Sequence, residues 1–348
     1  MAKPVAVDLF AGCGGLSLGL RNAGFRVAAA VECYEPAART YAANFRRTAL
    51  LRADVRDVSG ADILHTAGTR KLDLLAACPP CQGFTSLTSK HPRIDPRNEL
   101  VAEVVRLADE LRPRTVMFEN VPRLVESKKG KVYFERLVGE LEDLGYRISW
   151  FVADAADFGT PQRRRRLIVF AGKKEIDPPA ATHGPATDTA WNTVREAIGA
   201  ERSPATFRGD IAECAGLADW HVVRNLGPAN KARLAAAKPG GSRADLPNEL
   251  RPNCHKNSSN GFRNVYGRMI WDAPSPTITG GCTSPSKGRF GHPSRQGTIS
   301  VKEAAILQDF PPTFKLATPF IDQACQLIGN AFPARLASAA ARRVIETL

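Results

Sequence analysis

The sequence has few cysteines, fewer acidic than basic residues, and no long apolar run. Its 8 cysteines, at positions 13, 33, 78, 81, 214, 254, 282 and 325 of a 348-residue chain, are too sparse for a disulfide framework. Only Cys78 and Cys81 form a C-x-x-C, and the 6 histidines supply no second ligand pair at zinc-finger spacing, so no metal is expected. Nothing approaches the roughly 20 apolar residues that span a bilayer, and residues 1–7 lack the regions of a signal peptide. A soluble, cytoplasmic protein without membrane association is therefore expected. The 35 Asp and Glu stand against 48 Lys and Arg, a formal charge of +13, and such an excess attracts polyanions. The length suggests about two domains, and a hydrophobic fraction of 43% is ordinary for chains with a sizeable core.

Short apolar segments recur in the first half, at residues 5–10, 27–31, 72–77, 116–118, 150–153 and 167–171, and read as buried strands. Between several of them, residues 100–111 and 132–144 carry helical spacing. This alternation predicts an α/β domain over residues 1–175 with a largely parallel sheet. After Lys173 and Lys174 the chain becomes rich in Gly, Pro, Asn and Ser, and residues 195–295 hold 15 Lys and Arg against 8 Asp and Glu. A smaller, irregular, loop-rich and basic domain is expected over residues 176–324. Residues 334–348 read as one terminal helix, within a segment 325–348 that returns to the first domain.

Three loops carry the candidate chemistry. Residues 5–20 read VAVDLFAGCGGLSLGL, a strand entering Gly12, Gly14 and Gly15, where a tight turn lets a ligand approach the backbone. The spacing is neither G-x-G-x-x-G nor that of a lysine-bearing phosphate loop. Asp8 places a negative charge beside the turn. Glu32, ending the next strand, suits ribose hydroxyls, and Asp54 suits an adenine amino group. A cationic nucleoside without phosphates fits such a loop better than NAD, although a Gly-rich turn in an ordinary α/β protein has the same sequence. Residues 77–86 read ACPPCQGFTS and put Cys81 at the carboxyl end of a strand, where α/β crevices open. Redox C-x-x-C and buried thiol are the alternatives. Glu119, in TVMFENVP, ends another strand on the same edge, and reads otherwise as part of a polar turn with Asn120. In QRRRR at 162–166, extended alternation puts Gln162, Arg164 and Arg166 on one face and Arg163 and Arg165 on the other, either as planar donors or as a solvated charge run.

Together these segments resemble the DNA (cytosine-5)-methyltransferases. DLFAGCGG at 8–15, PPCQ at 79–82, ENV at 119–121, QRRRR at 162–166 and GNAFP at 329–333 match that family's motifs in its order. DPRNEL at 95–100, DFGTPQRRRR at 157–166, APSPTIT at 273–279 and EAAILQDFP at 303–311 extend the agreement along nearly the whole chain.

The resemblance implies a Rossmann-like sheet binding S-adenosylmethionine. The cofactor would be held by Asp8, Phe10, Ala11, Gly12, Gly14, Gly15, Glu32, Asp54, Val55 and Pro80, with Asn330 and Ala331 closing the pocket. Cys33 stands where many relatives have an aromatic residue, so stacking on adenine falls to Phe10 or Tyr34. Cys81 would add to carbon 6 of a flipped-out cytosine. Glu119 would bond to N3 and the amino group with a carboxyl pKa raised by burial. Arg164 would promote the thiolate and hold the base, and Gln82, Asn120, Gln162 and Arg166 would contact DNA. Double-stranded DNA is the implied partner, with a cognate restriction endonuclease possible and a nucleoid-associated, bacterial-type location. A tRNA cytosine-5 methyltransferase and an inactive DNA-binding regulator are the alternatives.

Overall fold

The computed structural model describes residues 2–80, 99–256 and 264–348. Contacts divide the chain into two compact units, one of residues 1–158, 165–181 and 332–348 and one of residues 159–164 and 182–331. These bounds differ from those expected: the chain enters the second unit already at residue 159, and the helix before residue 331 packs there.

In the first unit, seven strands form one sheet: β1 (Val5–Leu9), β2 (Arg26–Val31), β3 (Ala49–Leu51), β4 (Leu74–Ala77), β5 (Thr115–Asn120), β6 (Arg147–Asp154) and β7 (Arg165–Gly172). Their order is β3-β2-β1-β4-β5-β7-β6. The five strands from β3 to β5 run parallel, and β7 runs antiparallel to both neighbours. Helices α1 (Gly15–Ala23), α2 (Glu35–Asn44), α3 (Gly60–Ala67), α4 (Leu100–Leu111), α5 (Arg123–Glu126) and α6 (Lys128–Asp143) lie between the strands. Strand order reverses between β1 and β4, and the crevice outside the carboxyl ends of strands at such a switch point is where open α/β sheets bind ligands.

The strands read as continuous apolar runs because both faces of the sheet are covered. Alternate residues go to opposite layers: Val7, Leu9, Leu75, Ala77, Val116 and Phe118 pack with Ile63, Val104, Leu107 and Leu137. Ala6, Leu74, Ala76, Met117, Ile168 and Phe170 pack on the other side with Leu16, Leu20, Leu336, Ala340 and Val344. The second layer joins α1 to the C-terminal helix, Ala334–Ile345. Gly19 allows their close approach, since a Cβ there would lie 2.3 Å from the Ala337 Cβ.

The second unit holds two-residue strands β8 (Ala205–Thr206), β9 (Ala215–Gly216), β10 (Val222–Val223) and β11 (Lys315–Leu316). Its helices are α7 (Val194–Ile198), α8 (Pro228–Ala236), α9 (Asn253–Lys256), α10 (Val301–Leu307) and α11 (Ile321–Asn330). With so little regular pairing, backbone carbonyls need other donors. Arg289 Nε donates to Gly241 O at 2.8 Å, Arg233 Nε to Leu250 O at 2.8 Å, and Arg251 Nη2 to Ala244 O at 2.6 Å. Glu303, fully buried, accepts from the Ser300 amide at 2.7 Å and from Arg295 Nη2 at 2.6 and 2.7 Å.

Candidate active site

The loop leaving β1 takes left-handed backbone at alternate positions, with φ of 57° at Phe10, 57° at Gly12 and 101° at Gly14. A side-chain-bearing residue at positive φ is costly, and Phe10 keeps it at the edge where ligands bind. At Gly14 a Cβ would lie 2.1 Å from the Phe45 ring, so packing as well as φ demands glycine there. A Cβ at Gly12 would meet nothing within 4 Å, so that backbone borders open space. Ala11 is buried, its amide 3.1 Å from Val31 O.

Glu32, following β2, accepts from the Gly12 amide at 2.7 Å and from the Tyr34 amide at 2.7 Å. Burial raises its pKa, against the pull of those amides. A carboxylate has about four lone-pair sites, so this grip leaves capacity for ribose hydroxyls. Asp54 caps the single turn Val55–Asp57 and binds Arg56 through both oxygens, at 2.9 Å to Nε and 2.7 Å to Nη2. The guanidinium lowers its pKa. Val55 beside it is buried. Glu32 is thus held by backbone amides, whereas Asp54 is clamped by a neighbouring guanidinium.

Asp8, expected to place a negative charge beside the turn, lies in the interior. Fully buried, it accepts from Ser17 Oγ at 2.6 Å, and Ser17 Oγ lies 2.7 Å from Tyr41 Oη. Among the described residues its Oδ1 has no hydrogen-bond partner. Burial pushes its pKa up to about 7, with the Ser17 hydrogen bond opposing and the Glu32 charge adding to the rise. Neither Ser17 nor Tyr41 stood out in the sequence.

At the ends of β4 and β5 the register pairs Ala77 with Phe118, so Cys78 and Glu119 follow side by side. Glu119 is largely buried, and Arg166 Nε lies 2.7 Å from its Oε1. Asn120 donates through Nδ2 to Pro79 O at 3.3 Å and accepts from the Val121 amide at 2.9 Å. It thereby ties the strand end to the segment entering Pro80, which is half-buried. Cys81 and Gln82 lie outside the described residues.

In the QRRRR segment burial alternates as extended spacing requires, with Gln162 and Arg164 buried and Arg163 and Arg165 exposed. The segment is divided between the units, however. Arg166 belongs to the first with Glu119, and Gln162 and Arg164 to the second. There Arg164 donates to Ile278 O at 2.8 Å and Gly329 O at 3.0 Å. The Gln162 amide accepts from Ile278 N at 2.8 Å and donates to Leu307 O at 3.1 Å and to Gln308 Oε1. Asn330, exposed at the end of α11, and Ala331, whose carbonyl accepts from Gln308 Nε2 at 2.5 Å, are also in the second unit.

The model of the C-5 cytosine-specific DNA methylase family matches residues 5–346. The chain belongs to this family. It is similar to the type II methylase M.HgiDII of Herpetosiphon aurantiacus, 35% identical over 348 residues covering 97% of this chain and 94% of that protein. Its identity with the type II methyltransferase M1.HphI of Haemophilus parahaemolyticus is 36% over 346 residues, covering 98% and 86%. Among solved structures, a prophage-encoded protein of E. coli shares the fold at a TM-score of 0.75 and 24% identity, over 99% of both chains. As a member of this family the chain is a DNA cytosine-5 methyltransferase, with S-adenosylmethionine as methyl donor. Among the described residues no helix is long and apolar enough to cross a membrane.

Proposed function

We propose that this methyltransferase acts on a cytosine flipped out of double-stranded DNA, through a transient bond between Cys81 Sγ and carbon 6 of the ring. The observation that supports this most is the Glu119–Arg166 pair, 2.7 Å apart, beside the strand end that leads into Cys81. Along its pairing edge cytosine offers an amino donor and the acceptors N3 and O2. A carboxyl accepts from the amino group and, protonated, donates to N3, while a guanidinium donates to O2. Arg166 takes the role of base carbonyl donor, and Arg164 and Gln162 serve as framework in the second unit.

Carbon 5 of cytosine is a weak nucleophile until electron density enters the ring. Addition of the Cys81 thiolate to carbon 6 supplies it, with the charge accumulating toward N3 and O2, where Glu119 and Arg166 sit. Bound S-adenosylmethionine supplies an electrophilic methyl group on a sulfonium. After transfer, loss of the carbon 5 proton expels the Cys81 thiolate and restores the aromatic ring. Glu32 and the Gly12 turn hold the nucleoside end of the cofactor, and Phe10 or Tyr34 stacks on adenine. Flipping the base costs a few kcal/mol, which the basic second unit offsets while reading the target sequence. The setting we infer is the bacterial cytoplasm, where the methyl mark guards sites against a cognate restriction endonuclease.

The test is transfer of labelled methyl from S-adenosylmethionine to duplex DNA, with tRNA in parallel. Cys81→Ser abolishes turnover with cofactor binding retained, and Glu119→Gln lowers it by about 10²- to 10⁴-fold. Substantial turnover by Cys81→Ser removes the covalent step, and transfer to tRNA alone changes the substrate.

A further inference from the structure

We propose that Cys78 is a positioning residue for the Glu119 carboxyl, fixing the orientation in which that carboxyl meets the pyrimidine; this rests on the role given to Glu119 above. The β4–β5 register pairs Ala77 with Phe118 and so sets residues 78 and 119 next to each other at the carboxyl edge, which places the Cys78 thiol beside the Glu119 carboxylate as a donor. Arg166 Nε holds Oε1 of the same group at 2.7 Å. The thiol is itself anchored, because the Cys78 amide donates to Leu9 O at 3.4 Å and its side chain packs on the layer formed by Ala6, Ala76 and Phe332.

The terminal torsion of a glutamate is broad and roughly two-fold, so packing alone does not set the plane of its carboxyl. Two donors of different chemistry, a guanidinium and a thiol, do set it, and they leave the remaining lone pairs for the base. Burial, together with the Glu119 and Asp8 charges, pushes the Cys78 thiol well above the usual thiol range. It therefore remains protonated and acts as a donor. The C-x-x-C spacing drew attention to Cys81 as nucleophile, and this second sulfur has a separate use.

The experiment compares Cys78→Ser with Cys78→Ala in the full-length enzyme, since the two differ by one hydroxyl. Methyl transfer to duplex DNA is measured for both, with Glu119→Gln alongside. The serine variant is expected within about threefold of the parent kcat, and the alanine variant about tenfold below it with KM for S-adenosylmethionine unchanged. A role in packing alone gives the opposite order, because the buried hydroxyl is penalised and the methyl tolerated. Equal rates, or a faster alanine variant, overturn the proposal. Should the alanine variant fail to fold, Cys78→Thr against Cys78→Val makes the same comparison. Full turnover by Glu119→Gln overturns the reading of Glu119 itself, an outcome distinct from a null result at Cys78 alone.

Discussion

Along β5, six consecutive residues pair in register with β7, and four also pair with β4, so the central strands of the first unit are satisfied by their own ladders, and guanidinium donors such as Arg106, on the Val55 and Val58 carbonyls, serve its loops. In the second unit carbonyls at 241, 244, 250, 278 and 329 are met by the guanidinium groups of Arg289, Arg251, Arg233 and Arg164. The same residue type therefore means different things in the two regions. On α6, Arg136 is an exposed partner of Glu140, whereas Arg164 is a buried cross-link. The basic balance of residues 195–295 is real, but part of it points inward, and a charge count overstates how many arginines face a polyanion.

The comparison can be broken most sharply at Arg164. Replacing it by alanine strands two carbonyls and removes two charge-assisted hydrogen bonds worth about 1.5–3 kcal/mol each, so urea unfolding should show a loss of roughly 3 kcal/mol or more. An unchanged midpoint with lost turnover would return Arg164 to a catalytic role. A smaller effect is expected at Asp8, a fully buried carboxyl of the first unit. Its folded-state pKa of about 7 lies above the ordinary 3.8. Its contribution to stability is therefore fully present below about pH 4 and lost as pH rises through about 7. The parent should lose on the order of 2 kcal/mol between about pH 5 and pH 7 relative to Asp8→Asn; parallel profiles would contradict this. Smallest is Arg136→Ala, where loss of an exposed pair should cost about 0.5 kcal/mol or less. A cost near that of Arg164→Ala would erase the distinction between the units.

What could be read in advance follows the same division. Strands β1, β2, β4, β5 and β7 appeared as apolar runs because layers cover both faces, edge strand β6 appeared only through its stretch 150–153, and α4 showed its full length through helical spacing. Three-residue β3, half-exposed along its length, carries too little pattern to be seen, and the reversed direction of β7 leaves no mark in composition. Two-residue strands such as β8 and β10 have no period to detect, so the second unit was legible only as irregular and basic. Glu32 and Glu119 drew attention in the sequence because they stand at strand ends. The burial of Asp8 depends on Ser17 and Tyr41 from two other helices, and the clamp on Asp54 depends on the conformation of Arg56. The adjacency of Cys78 and Glu119 depends on strand register, which local sequence does not encode.

The most direct test of the account is to incubate the enzyme with S-adenosylmethionine and duplex DNA carrying 5-fluorocytosine at the methylated position. Fluorine replaces the departing proton, so the cycle should stop after methyl transfer with the base bonded to Cys81, and peptide mass spectrometry should find methylated fluorocytosine on that residue. Methylation of ordinary cytosine by the same preparation, with no adduct on the fluorinated duplex or with an adduct on another residue, would contradict it.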